Sequence, residues 1–175
     1  MRFRRLAVGF ALACGTSGLY GQTGATRIPP TQGTVLSGEM VIFPEALKGK
    51  VGVLVLGFSR ASGDAVAEWG KKLFRDYNAS TAVNYYELSI LEAVPGILRG
   101  YVVKKISESV PDVAKSHFLP VLDHEKEWKA AAGFKPPNDV YVLVVDGSGE
   151  VRARVSGLAS DSNFAEVKRQ VNAVR

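Results

Sequence analysis

The residues with the clearest chemical potential follow a long apolar run in the first half of the chain. Residues 59–64 read Ser-Arg-Ala-Ser-Gly-Asp, and a helical pattern begins there. The first backbone N–H groups of a helix attract anions, so an arginine beside them can hold a carboxylate or a phosphate. Arg60, Ser62 and Asp64 are therefore candidate ligand-binding residues. The alternative is structural: Ser62 or Asp64 caps the helix, and Arg60 is a solvated loop residue.

A second group of polar side chains lies in a less regular stretch further along the chain. Imidazole and carboxylate groups can bind zinc or another divalent metal. The spacing does not match a zinc-binding HExxH helix, and the acidic residues alternate with a lysine as they would at an exposed helix start. We therefore predict no metal site and no cofactor. The residues of this group are His117, Asp123, His124, Glu125 and Glu127.

Cysteine chemistry depends on one residue, because Cys14 is the sole cysteine among the 175 residues. An internal disulfide needs two cysteines, and a thiol peroxidase needs a reactive thiolate in its folded domain. Cys14 lies in an N-terminal segment that looks like a leader. We therefore predict that the protein is neither a thiol–disulfide oxidoreductase nor a thiol peroxidase, and we leave open whether it has another enzymatic activity.

The N-terminal segment has the order of a secretory signal. Residues 1–5 carry three arginines, residues 6–14 form an apolar run, and small and polar residues follow. This order predicts a signal peptide over residues 1–21, with cleavage near residues 21–25. The protein is then exported, to the periplasm or the extracellular space.

Two alternatives to simple secretion stay open. Cys14 ends the apolar run, where a bacterial lipoprotein carries its lipidated cysteine, so the chain can be a lipid-anchored envelope protein. The chain has no acidic residue before Glu39, which also suits a mitochondrial presequence.

The charge distribution argues against a nucleic-acid partner. The formal charge is +5, but without the three arginines of the leader the 22 basic residues fall to 19, against 17 acidic ones. The rest of the chain has no arginine–lysine cluster interleaved with aromatic residues. We expect a protein partner of unknown identity.

Residues 22–42 are rich in Gly, Thr and Pro, which predicts a linker or extended arm that ends in a short strand. Residues 43–175 form the predicted domain. Residues 51–58 are continuously apolar, as in a strand buried on both faces. A helical pattern with Trp69 on its apolar side follows, and residues 83–91 form a second strand, so the two strands are parallel.

Pro95 suits the first turn of a further helix, whose apolar stripe runs from residue 94 to residue 102. We expect this stripe to pack on the sheet, because such a sheet needs helices on both faces. The alternative is a surface for a partner or, less favoured, a membrane. The candidate partner-binding residues on this helix are Arg99, Tyr101, Lys104 and Lys105.

The last third of the chain starts with an irregular stretch over residues 111–139 that contains a short helix around residues 126–132. Residues 140–145 form a third buried strand, and the Asp-Gly-Ser-Gly turn joins it to an antiparallel partner over residues 150–156. A final helix follows, capped near Asp161 or Ser162.

This order resembles the thioredoxin-like superfamily. The segments FPEALKGK, VGVLVLGF and VYVLVVDGSGEVRARVSG resemble its thiol-peroxidase and cytochrome-maturation branch. GFSRASGDAVAEW, Glu87 in YYELSILE, the helix after it and the closing hairpin look similar to the mitochondrial ATP synthase assembly factor family, which lacks redox cysteines. The resemblance implies an α/β fold with a central mixed sheet of four to five strands and helices on both faces.

The departures from the redox members carry the functional prediction. Those members place two cysteines in the first turn of the helix after the first core strand, where Gly63 and Val66 stand here. Their proline before the third core strand corresponds to about Val140. The sequence therefore predicts a non-redox, thioredoxin-like binding or assembly-assisting module outside the cytoplasm. A small-anion-binding protein or enzyme that uses Arg60, and a lipid-anchored envelope protein of structural role, are the alternatives.

Overall fold

The computed structural model describes residues 25–136 and 140–175. The predicted signal peptide and Cys14 lie outside these ranges, as do residues 137–139. The strands are β1 Thr31–Thr34, β2 Met40–Phe43, β3 Val51–Gly57, β4 Val83–Ile90, β5 Phe118–Val121, β6 Val140–Val145 and β7 Val151–Ser156. The helices are α1 Gly63–Tyr77, α2 Gly96–Ser109, α3 Glu125–Ala132 and α4 Asp161–Val174, with short 3₁₀ turns at Glu45–Leu47, Arg60–Ser62 and Asp112–His117.

The main sheet has five strands in the order β5-β4-β3-β6-β7. β3, β4 and β5 are parallel, while β6 runs antiparallel to β3 and β7 antiparallel to β6. Every residue of the central strand β3 is buried, because the strand has a neighbour on each side and packed elements on each face. The predicted mixed α/β sheet is confirmed.

The two faces of the sheet carry separate apolar layers. Val53 and Val55 of β3 face α1 and α4, where Trp69 is fully buried as predicted. Leu54 and Leu56 face the other side, which the β1–β2 hairpin and α3 cover. This alternation follows from the two-residue period of a strand, and it gives the predicted helices on both faces.

The N-terminal hairpin corrects the expected linker over residues 22–42. β1 and β2 pair in antiparallel fashion, and Gly38 makes their turn with a φ of 100°, which favours glycine. Ile28, Val35 and Phe43 are buried in the layer beneath the hairpin. The alternation of β2 buries Phe43, and Arg27 bridges to Glu150, so from about residue 27 the segment belongs to the folded domain.

The stretch expected to be irregular contains the edge strand β5. It pairs with β4 through Glu87↔Phe118 to Ile90↔Val121, and all four of its residues are buried. Pro120 lies inside it and cannot donate a ladder hydrogen bond, which is tolerated at a sheet edge and obscured the strand in the sequence. The short helix expected in this stretch is confirmed as α3.

Two side-chain helix caps lie before their predicted positions, three to five residues earlier at α1 and one or two residues earlier at α4. Ser59, and not Ser62 or Asp64, caps the turn that leads into α1, because its Oγ accepts a hydrogen bond from the Ser62 N–H at 3.3 Å. Ser160 caps α4, because its Oγ accepts from the Asn163 N–H at 3.2 Å. The Ser160 Oγ serves an N–H group at the helix start, while the Ser59 Oγ shares the Ser62 N–H with the Ser59 carbonyl at 3.2 Å.

Helix α2 contradicts the expectation that its apolar stripe packs on the sheet. None of its 14 residues is buried. The side chain of Ile97 is 93% exposed and that of Tyr101 is 62% exposed. The half-buried residues are Arg99, Val102, Val103, Ile106 and Ser107, so the helix touches the domain along one side only. In residues 25–136 and 140–175, no helix is long and apolar enough to cross a membrane.

Candidate functional site

The carboxyl ends of the parallel strands meet at one edge of the sheet. β3 ends at Gly57, β4 at Ile90 and β5 at Val121, in matched register. Ligands of open α/β sheets bind at this edge, because the loops there diverge and leave a crevice. The structure places the candidate residue Arg60 at this edge, three residues after β3.

The three residues predicted to bind a ligand have different environments. Arg60 and Asp64 are exposed, and no described residue makes a hydrogen bond or a salt bridge to either side chain. Ser62 is only 3% exposed, and its hydroxyl donates to the Ser59 carbonyl at 2.6 Å. A Cβ at Gly57 would lie 2.6 Å from the Ser62 Oγ, so Ser62 is packed against the strand. Ser62 therefore shapes the turn and does not face a ligand.

An open groove of about 440 Å³ lies at the same edge and was not predicted. Its lining combines the residues after β4 with the first turns of α3. The Glu92 carboxylate accepts a hydrogen bond from the Glu125 N–H at 2.6 Å, and the Lys129 ammonium pairs with the Glu125 carboxylate at 2.5 Å. Both acidic groups of the groove are therefore engaged within the protein. The lining residues are Glu92, Ala93, Glu125, Lys126 and Lys129.

Aromatic rings join this groove to the end of β3. The Lys129 ammonium lies 4.9 Å from the centre of the Phe134 ring and 5.9 Å from that of Phe58. The Phe58 ring packs edge-on against Phe134 and Tyr141. Tyr141 donates its hydroxyl hydrogen to the Lys135 carbonyl, which fixes the chain just before residues 137–139. No local signal in the sequence connects these residues, since they come from three separate segments.

The histidines and carboxylates that we considered as metal ligands, and for which we predicted no metal site, are dispersed. Among the residues that the structure describes, no group of three or more His, Cys, Asp or Glu side chains lies close enough to hold an ion. His117 stacks on the Tyr85 ring with 4.0 Å between ring centres. Burial lowers the pKa of His117, and its hydrogen bond to the Tyr85 carbonyl opposes that shift. His124 lies at the start of α3 with a left-handed φ of 59°.

Arg99 has a different role from the other predicted partner-binding residues. It is half-buried, and its guanidinium donates to the Val94 carbonyl at 2.9 Å and to the Glu92 carbonyl at 2.8 Å. Arg99 thereby attaches the first turn of α2 to the end of β4. Its charge is directed toward the protein backbone and away from solvent.

The remaining predicted residues lie on the exposed side of α2. The Lys105 ammonium lies 5.9 Å from the centre of the Tyr101 ring and pairs with Glu108 at 2.7 Å. Lys104 makes no hydrogen bond or salt bridge to a described residue. We use the name α2 surface for the exposed residues Ile97, Leu98, Tyr101, Lys104 and Lys105.

Solved structures with the same architecture were found, although no protein-family model and no curated protein matches the chain. A proposed thiol:disulfide interchange protein DsbE from Chlorobium tepidum superposes with a TM-score of 0.60 and 16% identity, over 86% of this chain and 96% of that one. BsSco, a member of the Sco family of cytochrome c oxidase assembly proteins, gives a TM-score of 0.56 and 15% identity, over 85% and 95% of the two chains.

A third similar structure is the pneumococcal exposed lipoprotein thioredoxin Etrx1 of Streptococcus pneumoniae. Its TM-score is 0.57 at 9% identity, and the match covers 81% of this chain and 99% of that one. This chain has a thioredoxin-like fold. Because all three identities are below 25%, the likeness establishes the fold, and function must be argued from the residues.

The start of α1 carries no cysteine at the two positions where redox thioredoxins have one. Gly63 is the first residue of α1, and Val66 is buried with its side chain in the core. The expected proline position before β6 is Val140, which is buried in the strand itself. The end of β3 and the start of α1 therefore keep the geometry of the fold with serine, arginine and glycine at the surface.

Proposed function

We propose that this protein is a non-redox thioredoxin-like module that binds a protein partner through the α2 surface and assists its assembly outside the cytoplasm. The observation that carries the proposal is the exposure of Ile97, Leu98 and Tyr101 within one turn of a helix that buries none of its residues. Exposed apolar side chains that are contiguous, rather than scattered, are typical of interaction sites.

The composition of the α2 surface suits a protein partner. Tyrosine is among the residues that contribute most when buried at protein interfaces, since it offers a large apolar ring and a polar hydroxyl. Lys104 and Lys105 follow one turn later and provide charge at the rim, where charges affect orientation and association rate. Arg99 holds the first turn of α2 in place, which reduces the ordering cost of binding.

The non-redox part of the proposal rests on the start of α1. Thiol exchange needs a thiolate as the attacking atom, and positions 60–66 contain none. The single cysteine, Cys14, has no second cysteine in the chain with which to form a disulfide. Reductase and peroxidase assays on the purified protein should show no turnover, and thiol-dependent turnover would refute this part.

The location outside the cytoplasm is supported by the basic and apolar order of residues 1–14. One similar structure is described as an exposed lipoprotein. Attachment through lipidated Cys14 and import into mitochondria are the alternatives. Mass spectrometry of the processed N-terminus distinguishes them, because only the lipoprotein begins at a modified Cys14.

The assembly role is supported by two likenesses: BsSco belongs to a family of cytochrome c oxidase assembly proteins, and several segments are similar to the ATP synthase assembly factor family. Site-specific crosslinking in the native compartment tests the binding surface. A photoreactive amino acid at position 101 should give a discrete adduct, whereas the same probe at exposed position 71 on α1 should give none.

A double variant of the α2 surface serves as the control for the crosslinking experiment. Replacement of Ile97 by Asp and Lys104 by Glu should abolish the adduct from position 101 without unfolding the protein, because neither side chain is buried. Equal adducts from positions 101 and 71, or no change on these replacements, would show that the α2 surface is not the binding surface.

A second candidate function is small-anion binding at Arg60. It is supported by the exposure of Arg60 at the strand-end edge, with no described residue paired to its side chain. Inorganic phosphate should then bind the protein and fail to bind Arg60→Ala, while the exposed control Arg169→Ala should bind normally. Equal phosphate binding by both variants would remove this candidate.

A further inference from the structure

A carboxyl group lies inside the apolar layer between β4 and α1. Glu87 is the fifth residue of β4, and only 4% of it is exposed. Its neighbours across the sheet are Val55 of β3 and Phe118 of β5. No described residue makes a hydrogen bond or a salt bridge to the Glu87 carboxyl. A buried carboxylate without a partner is strongly disfavoured, so the group is held in its neutral form.

The helix above Glu87 is shaped around this side chain. Gly70 of α1 lies directly over the carboxyl, and a Cβ at position 70 would overlap both carboxyl oxygens. Glycine in a helix interior costs about 1 kcal/mol relative to alanine, so its presence in the middle of α1 calls for a local reason. Here the reason is space: the missing side chain of Gly70 accommodates the carboxyl group.

Among residues 25–136 and 140–175, no positively charged side chain pairs with Glu87 to neutralise its ionised form. On α1 the buried residues around Gly70 are the apolar Val66, Trp69 and Leu73. On β4 the polar neighbours on the same face are Tyr85 and Ser89, and neither is a cation. The Tyr85 hydroxyl is buried and has no hydrogen-bond partner.

The groups around Tyr85 do not supply a charge either. The His117 ring stacks on Tyr85 from the 3₁₀ turn before β5, and burial lowers the pKa of that ring. From α2, Ile106 packs against the edge of this layer and is apolar. Burial, followed by the charge of Glu87, raises the pKa of Tyr85 well above its ordinary value.

We propose that Glu87 is a proton-dependent latch for α1: the neutral carboxyl fits under Gly70, and loss of its proton loosens α1 from β4. An ionised carboxylate would require more water or a cation than this site admits, because only 4% of Glu87 is exposed while α1 is packed in place. α1 begins at the turn that contains Arg60, so loosening the helix also changes the strand-end edge. Burial raises the pKa of Glu87 to about 8, which places the change in the range above neutral pH.

The direction of the pH effect follows from linkage. The folded-state pKa lies above the ordinary value of 4.5, so the folded protein binds more protons than the unfolded chain between these values. The contribution of Glu87 to stability is fully present below pH 4.5 and is lost as the pH rises through about 8. The wild-type protein should therefore unfold at lower urea concentration at pH 9 than at pH 6.

The direct test is NMR titration of the Glu87 side-chain carboxyl carbon in the whole protein from pH 3 to pH 10, with Glu87→Gln to assign the signal. The expected midpoint is well above the ordinary glutamate value of 4.5, and amide protection in α1 should fall over the same pH range. A midpoint for Glu87 at its ordinary value would overturn the proposal.

Variants provide a second, independent test. Glu87→Gln keeps the shape of the side chain without its charge and should remove the difference in urea midpoint between pH 6 and pH 9, whereas Glu127→Gln should keep it. If Glu87→Gln leaves the difference unchanged, Glu87 is not its source. If Glu87→Gln does not fold, through-bond assignment of the wild-type carboxyl signals identifies Glu87, and the wild-type titration still decides.

The packing of Glu87 under Gly70 is tested by a double-mutant cycle. Gly70→Ala should lower the urea midpoint in the wild-type background, because the new methyl group overlaps the carboxyl. In the Glu87→Ala background the same change should be neutral or stabilising, because the methyl group fills the vacated space. An equal effect of Gly70→Ala in both backgrounds would show that the two residues are not in contact, and would overturn the latch.

Discussion

Helices α1 and α2 are almost equal in length, with 15 and 14 residues, yet they relate to the domain in opposite ways. α1 buries Val66, Trp69, Gly70 and Leu73 on one face. α2 distributes its apolar residues around the helix and buries none of them. A single apolar stripe lets a helix pack on a sheet, while scattered apolar residues leave some of them in water. The first helix therefore stabilises the domain, and the second leaves apolar side chains exposed.

The largest expected effect separates the two helices by stability. Trp69→Ala should destabilise the fold by about 3–5 kcal/mol, because it empties a large buried volume. It also removes the hydrogen bond from the Trp69 indole N–H to the Gly157 carbonyl, at 2.9 Å. Tyr101→Ala on α2 should change stability by less than about 0.5 kcal/mol. Urea denaturation measures both, and similar losses for the two variants would contradict the comparison.

An intermediate effect concerns the attachment of α2. Arg99→Ala should destabilise the protein by about 1–2 kcal/mol, because hydrogen bonds from a charged donor to two backbone carbonyls are lost and the side chain is only half-buried. Hydrogen exchange in the first turn of α2 should accelerate. Lys104→Ala is the matched control, since its side chain makes no hydrogen bond or salt bridge to a described residue. Unchanged hydrogen exchange in Arg99→Ala would show that Arg99 does not hold the first turn of α2 in place.

A smaller effect concerns how α1 begins. Ser59→Ala should cost about 0.5–1 kcal/mol, because the N–H of Ser62 loses the Oγ acceptor and keeps only the Ser59 carbonyl. The residue before α2 is Pro95, which offers no side-chain hydrogen bond. Pro95→Ala should therefore change stability less than Ser59→Ala does. Thermal unfolding of the two variants gives the comparison, and the reverse order would mean that Ser59 does not act as a cap.

The smallest expected effect on stability accompanies the largest on binding. Ile97→Ser should leave the unfolding free energy within about 0.5 kcal/mol of the wild type, because the side chain is already in water. Partner crosslinking from position 101 should nevertheless fall sharply. If Ile97→Ser unfolds the protein instead, the α2 surface is part of the core and the contrast between the helices disappears.

Much of the fold could be predicted because the decisive patterns are local. The continuous apolar run gives β3, the 3.6-residue period around Trp69 gives α1, and the alternating residues after the Asp-Gly-Ser-Gly turn give β7. The β1–β2 hairpin was missed because Gly, Thr and Pro dominate its sequence. β5 was missed because Pro120 interrupts it.

The candidate site was predicted less well. The sequence placed Arg60 at a strand end correctly, but it did not show that the Ser62 hydroxyl is used up by the Ser59 carbonyl. The groove brings Glu92 to the N–H of Glu125, and 33 residues separate them in the chain. Such a contact depends on where β4 ends relative to α3, which no local pattern contains.

The sequence alone determined that the helix after β3 begins without sulfur, since residue types at positions 60–66 do not depend on packing. It also determined the order of the main elements, because periodicity is a property of neighbouring residues. Only the tertiary structure decided which helix is exposed and that Glu87 lies under Gly70. The burial of a side chain and the identity of its packing neighbours depend on contacts between distant segments. Those contacts exist only once the sheet has assembled.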